Sequence, residues 1–134
     1  MVRINLISPS DLTDQHLIAE YNEILMAFGC FRRMKFNPSK ISEKYVLGKG
    51  HITFFSDKLL FLLLRHEELS KEMLERNFKP TKKLNYWKIL REFGWKRFNN
   101  YFPTQEAISL NRERIIYKIK SKPNFYRYKG SVLA

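Results

Sequence analysis

The sequence predicts a mainly α fold, a single compact domain over residues 1–134 with three main helices. Three observations carry this. The 134 residues suit one domain with one core, and the 44% hydrophobic content can fill it. Apolar residues recur at helical spacing in three separate stretches. Each stretch follows Ser, Thr or Asp residues whose side chains can cap a helix start.

Taken in order, residues 2–7 alternate weakly between apolar and polar and read as an extended arm. Ser8-Pro9-Ser10-Asp11 supplies the start of the first helix. Leu17, Tyr21, Ile24, Leu25 and Phe28 form its buried stripe. Gly29 is expected to loosen its end, where Arg32 and Arg33 suit the negative pole of the helix dipole. Asn37-Pro38-Ser39 breaks the pattern, and residues 41–50 read as an irregular connection.

His51–Phe55 is expected to be a short extended piece, after which Ser56-Asp57 caps a second helix. The run from Leu59 to Leu64 is apolar all round and belongs at the centre of the core, and the helix should stop before Lys79-Pro80. Residues 81–102 mix aromatic and basic side chains and read as short helical turns and loops. Pro103-Thr104 opens a third helix with Ile108, Ile115 and Ile119 inside, and Pro123 ends it. The aromatic and basic tail Phe125–Gly130 should dock on the body.

Charge narrows the function. The formal net charge is +12, and it is uneven: residues 80–134 hold 13 Lys and Arg against 3 acidic residues, whereas residues 1–79 hold 12 against 10. A polyanion partner follows, unless the basic surface serves solubility alone. Of the 20 aromatic residues, 11 lie in the basic part. Bases offer π-faces and phosphates offer charge, so this mixture suits nucleic acid better than a membrane surface. The longest apolar run is too short to span a bilayer, and no secretory signal is visible. The single Cys30 has no internal disulfide partner, which fits a reducing compartment, and it reads as a packing residue.

Candidate chemistry is sparse. His16, His51 and His66 form no HExxH pattern and there is no CxxC, so no metal site is expected. Neither a Walker-type glycine loop nor a nucleophile elbow is present. On a helical wheel His16, Ala19, Glu20, Glu23 and Ala27 fall opposite the core stripe. Alanines flank Glu23 and leave room beside its carboxylate, but a polar face of this kind is ordinarily a solvated one. Arg114 and Lys118, four apart, share one face. Residue types alone lead to a basic helical nucleic-acid binder, with or without catalysis.

Several ordered blocks go further. Arg3-Ile-Asn-Leu6, Asp14-Gln-His-Leu17, Ala19-Glu-Tyr21 with Glu23, Gly48-x-Gly-His-x-Thr-Phe-Phe55 with Asp57-Lys-Leu59, and Pro123-x-Phe-Tyr-Arg-Tyr-x-Gly130 resemble the pyrimidine-dimer DNA glycosylase family, the phage endonuclease V type. The resemblance covers nearly the whole chain and is weaker over residues 34–44 and 80–102. It implies an all-α domain with an N-terminal arm threaded between three main helices. It also implies a monomeric DNA repair enzyme without metal or cofactor, acting on double-stranded DNA with a pyrimidine dimer or an abasic site. A cytoplasmic, nucleoid-associated location and a viral or phage origin fit the same resemblance.

The implied activity is bifunctional: cleavage of the glycosidic bond at a cyclobutane pyrimidine dimer, then strand breakage by β-elimination. The implied nucleophile is the α-amine freed by removal of Met1, here that of Val2, and the implied essential carboxylate is Glu23. An α-amine suits this work because its pKa, about 7.7–8.0, leaves more of it neutral than a lysine. Arg3, if close, lowers that pKa further. Arg3, His16, Asn22, Met26, Arg114, Lys118, Tyr126, Arg127, Tyr128 and Lys129 match family positions on the DNA side. For Tyr126 and Tyr128, core packing is the competing role.

The chain departs from the family's usual residues. Val2 stands for Thr, Phe125 for Trp and Arg127 for Lys, while Asn22 and Met26 stand where commoner members carry arginines. Each lost phosphate contact weakens binding and flattens its salt dependence. Two alternatives therefore stand beside the glycosylase/lyase: a non-catalytic damage-binding protein of the same fold, and a lyase acting on abasic sites or other lesions.

Overall fold

The computed structural model describes residues 2–133, so the expected removal of Met1 concerns a residue outside that range. The chain is helical throughout its core, as expected. Three long helices, α1 (Asp14–Arg33), α3 (Leu59–Glu75) and α5 (Gln105–Ser121), dominate it. A single turn, α2 (His51–Phe54), and a short helix, α4 (Tyr86–Phe93), lie between them.

The cap of α1 is Thr13, whose hydroxyl accepts from His16 N at 3.1 Å. Ser8–Asp11 instead forms a 3-10 turn before it, Pro9–Asp11, capped by Ser8. Gly29 lies inside α1, and Arg32 and Arg33 occupy its last turn, as expected. Phe28 and Phe31 are both buried, and Arg32 pairs with Glu92 of α4, so packing carries the helix on to Arg33. The face assigned to solvent is also divided. Ala19 is exposed, but Glu20 and Ala27 are fully buried.

The extended piece expected at His51–Phe55 is a helical turn. Gly50, at φ 86°, lets the chain enter it, and the turn buries the consecutive Phe54 and Phe55, which a strand would point to opposite sides. Ser56-Asp57 does not cap α3. Ser56 Oγ donates to Thr53 O at 2.6 Å, and Lys58 stands at the cap position without a side-chain bond there. Its ammonium lies 3.9 Å from the centre of the Phe54 ring.

Buried Leu59, Leu62, Leu63, Leu69 and Met73 seat α3 against α1. A Schellman motif ends α3: Asn77, at φ 66°, lets Phe78 N reach Met73 O at 2.8 Å. Thr104 caps α5 by accepting from Ala107 N at 3.1 Å. The buried stripe of α5 is Ala107, Asn111 and Ile115, while Ile108 and Ile119 are only partly covered.

The tail docks as a hairpin, β1 (Arg127–Tyr128) paired with β2 (Ser131–Val132). Its two-residue turn puts Lys129 at φ 51° and Gly130 at φ 86°, the primed geometry that tight hairpins need. Both turn amides donate to Asp14, at 3.0 and 2.9 Å. Arg76, the residue that caps the end of α3, completes this anchor. It pairs with Asp14 and Glu72, donates to Pro9 O and Ser10 O, and lies 4.6 Å from the Tyr128 ring centre.

Among the described residues the arm has no strand partner, yet Val2 and Ile4–Ile7 are buried and Arg3 is half-buried. Side chains take the place of a sheet. Ile4 N donates to His51 Nε2 at 2.8 Å, and Tyr45 donates to Ile4 O at 2.9 Å. Asn111 Oδ1 accepts from Leu6 N and Ile7 N at 2.7 and 3.1 Å, and Arg65 donates to Ile7 O. Asn5 bridges Glu20 and Asn111, and Arg65 forks onto Glu20 at 2.7 and 3.0 Å. Removing Arg65 leaves the buried Glu20 charge uncompensated. Arg65→Met is expected to cost about 3–5 kcal/mol in urea unfolding, and adding Glu20→Gln should recover part of the loss.

Candidate active site and nucleic-acid interface

The threaded arm delivers residues 2 and 3 to the middle of α1. Glu23 is half-buried there, and burial raises its pKa above the ordinary carboxylate value. The Arg3 backbone N–H works in the opposite direction by interacting with the carboxylate, as does the nearby Arg114 charge. Arg3 folds its guanidinium back onto Val2 O, 3.2 Å away, so a cation sits beside the start of the arm. Val2, Arg3, Glu23 and Arg114 thus come together from the arm, α1 and α5.

Arg114 is half-buried, and its pKa is lowered by burial and then by the Arg3 charge. Among the described residues it has no ion-pair partner within bonding distance. A guanidinium held this way, one helical turn from exposed Lys118, is suited to an incoming phosphate. Across from them, His16 stacks on Tyr126 with ring centres 4.7 Å apart and planes 8° apart. Its Nδ1 meets Thr13 Oγ1 at 2.7 Å. Burial, then Arg114, then Lys118 push its pKa down to about 4, so it is neutral at physiological pH. It therefore contributes a ring and a hydrogen bond rather than a charge.

The remaining expected interface residues divide. Tyr126 is buried under His16, and Tyr128 donates to Ser10 O while lying against Arg76. Both hold the tail in place. Gln15 clamps the same strand by donating to Phe125 O and accepting from Arg127 N. Arg127 and Lys129 are exposed cations beside it. Asn22 and Met26 are exposed near Glu23; Asn22 donates to Ile18 O of its own helix, and Met26 is 55% exposed. Neither brings charge to the carboxylate.

The residues that hold the arm were not singled out from sequence: Tyr45, His51, Arg65, Asn111 and Glu20 in its inward role. A signal existed for two of them. Asn111 sits four residues from both Ala107 and Ile115 on the inner stripe of α5, and Arg65 interrupts a leucine-rich stretch. A polar residue at a core position needs a partner. Among the described residues no group of three or more His, Cys, Asp or Glu could hold a metal, and no helix is long and apolar enough to cross a membrane.

His51 sets a pH limit on the arrangement. Because Ile4 N must donate, Nε2 accepts, and Nδ1–H donates to Val46 O at 2.8 Å. Burial pushes its pKa down to about 4, against the opposing effect of that carbonyl. The unfolded chain takes up this proton below about pH 6.5, and the native state only near 4. Stability is therefore full above about 6.5 and is lost as pH falls towards 4, by about 3 kcal/mol from His51. Thermal unfolding from about pH 7 downward should show this decline. His51→Gln, which keeps an acceptor for Ile4, should make it shallower.

The family model described as pyrimidine dimer DNA glycosylase matches residues 1–86. That segment holds the arm, Glu23, His16, Tyr45, His51 and Arg65, which together build and brace the centre just described. The chain belongs to the pyrimidine dimer DNA glycosylase family, the DNA repair enzymes that act on pyrimidine dimers.

Proposed function

We propose that the chain is a bifunctional glycosylase and AP lyase whose nucleophile is the α-amine of Val2, exposed by removal of Met1. The observation that carries this is the approach of the arm to Glu23: the Arg3 backbone N–H acts on that carboxylate, and Val2 is the next residue out. The neutral amine attacks C1′ of the 5′ nucleotide of a dimer. The C1′–N bond to the amine forms as the glycosidic bond breaks, and the departing base keeps the bonding pair and takes a proton. Loss of an amine proton and opening of the sugar ring give a protonated imine. This acidifies the C2′ proton, and its removal expels the 3′ phosphate by β-elimination. Water then releases the sugar remnant and restores the amine.

Glu23 stabilises the cationic sugar and imine and takes part in the proton transfers. Its raised pKa suits that second task, since a carboxyl that holds a proton more readily exchanges it more readily near neutral pH. Arg114 and Lys118 receive the flanking phosphates. One observation favours a second reading. The uncharged, exposed Asn22 and Met26 beside Glu23 supply no phosphate grip, which favours lesions needing less distortion to reach, abasic sites among them.

Borohydride reduction with dimer-containing or abasic duplex should trap a covalent adduct of the mature protein; its absence on both substrates would overturn the imine mechanism. Comparing the two substrates separates the readings. Glu23→Gln should lower turnover by about 10²-fold or more. Its stability should move the other way. A carboxyl with a raised native pKa contributes stability that is present at low pH and lost as pH rises past 4.5 through the raised value. The ionised group is then a net cost at neutral pH, so the Gln variant should melt no lower than the parent.

The acid limb of the rate profile reports the amine. Arg3→Gln removes the cation beside Val2 and should move that limb to higher pH.

A further inference from the structure

A second basic and aromatic surface lies on the far side of α1. Trp87 of α4 is 72% exposed, and Trp95, in the 3-10 turn Trp95–Arg97 after it, is 74% exposed. Large aromatics at this level of exposure are not core residues. Exposed Lys88, Arg91 and Lys96 adjoin them in sequence. The one acidic residue of α4, Glu92, is already paired with Arg32. On this surface Lys88, Arg91 and Lys96 outnumber Glu92, whose charge is shared between Arg32 and Lys88.

Its location follows from α1. At about 100° per residue, Arg32 lies about 180° around α1 from Glu23. Arg32 is the residue that pairs with α4, and Phe28 and Phe31 pack on Phe93 of the same helix. Tyr21, also nearly opposite Glu23, bonds both Lys82 N and Lys82 O in the segment leading to α4. A nucleic-acid segment seated against Trp87 is thus not the segment seated at Glu23.

The platform is held rigidly. Gly94, at φ 90°, makes the turn from α4 to Trp95. Buried Arg97 then pins the turn by donating to Ser56 O at 2.9 Å and lying 4.2 Å from the Phe36 ring centre and 4.9 Å from that of Phe93. This surface also lies almost wholly beyond residues 1–86, the part matched by the family model.

We propose that the Trp87–Trp95 surface binds single-stranded nucleic acid, its tryptophans stacking on unpaired bases and its cations following the backbone. Charge complementarity selects a polyanion, and exposed indole rings select one whose bases are free, since a closed duplex buries base faces in its own stack. A membrane fits less well. The apolar side of α4, Ile89 with Tyr86 and Phe93, is spent on the core, leaving no apolar face to insert.

Trp87 and Trp95 are the only two tryptophans in the chain, so intrinsic tryptophan fluorescence reports on this surface directly. The probe is an undamaged oligothymidylate, titrated into the full chain. We expect saturable quenching that weakens with salt and persists in Glu23→Gln and in Arg114→Ala. Trp87→Ala should weaken binding about tenfold, read by anisotropy of a labelled oligonucleotide. The triple variant Lys88→Ala, Arg91→Ala, Lys96→Ala should flatten the salt dependence while leaving cleavage of a short dimer-containing duplex unchanged. Absence of quenching by the oligonucleotide would overturn the proposal. So would its loss in Arg114→Ala, or quenching by anionic phosphatidylserine vesicles with none by the oligonucleotide. Quenching and anisotropy read binding without turnover, so failure here and failure of the imine mechanism are distinguishable.

Discussion

The fold depends on burying a stretch of extended backbone that, among the described residues, pairs with no strand. An extended arm inside a helical protein exposes its amides and carbonyls to apolar surroundings, and each unpaired group costs free energy. Here the partners are side chains drawn from across the chain: Tyr45, His51, Arg65 and Asn111. The Glu20–Arg65 pair is part of this solution, since it orients the guanidinium that reaches Ile7 O and the carboxylate that meets Asn5. The same bonds that satisfy the arm fix its register. Slipping by one residue would misplace each of them, so residue 2 is held at one position along α1.

That positional constraint gives the candidate centre its character. A single half-buried carboxylate stands among cations from two elements, Arg3 from the arm and Arg114 from α5. Burial raises the pKa of Glu23, so its carboxyl holds a proton more readily than a surface one, while Arg114 keeps its charge. His16 is neutralised by the same surroundings and is spent on stacking with Tyr126. Charge near the centre is therefore carried by groups that can meet a phosphate, and the neutral ring supports the tail.

The tail and α4 occupy different sides of α1, and each is tied down by an ion pair. The Asp14–Arg76 pair is buried and branches into the hairpin turn, Glu72 and the backbone before α1. The Arg32–Glu92 pair is exposed and worth little by itself; the packing of Phe28 and Phe31 on Phe93 supplies most of the attachment of α4. This division leaves the cations around Glu23 unobstructed and presents Trp87 and Trp95 on a separate face.

Local rules in the sequence determined the three long helices, the cap at Thr104, the docking of the tail and the basic bias of the second part of the chain. Each depends on spacing or composition within a short window. The same windows misplaced the cap of α3 and the conformation of His51–Phe55. Gly29 is tolerated because Phe31 and Arg32 find partners beyond it, and His51 is drawn into a turn that buries two consecutive phenylalanines. Glu23 was legible as a candidate only through the ordered family blocks, since its spacing equally describes a solvated face. What tertiary structure alone decided is which polar residues turn inward. Glu20 and Glu23 are three residues apart on one helix, yet Glu20 is sealed against Arg65 while Glu23 stays half open beside the arm. Only partners distant in sequence distinguish two such carboxylates, because burial of a charge is set by what stands opposite it.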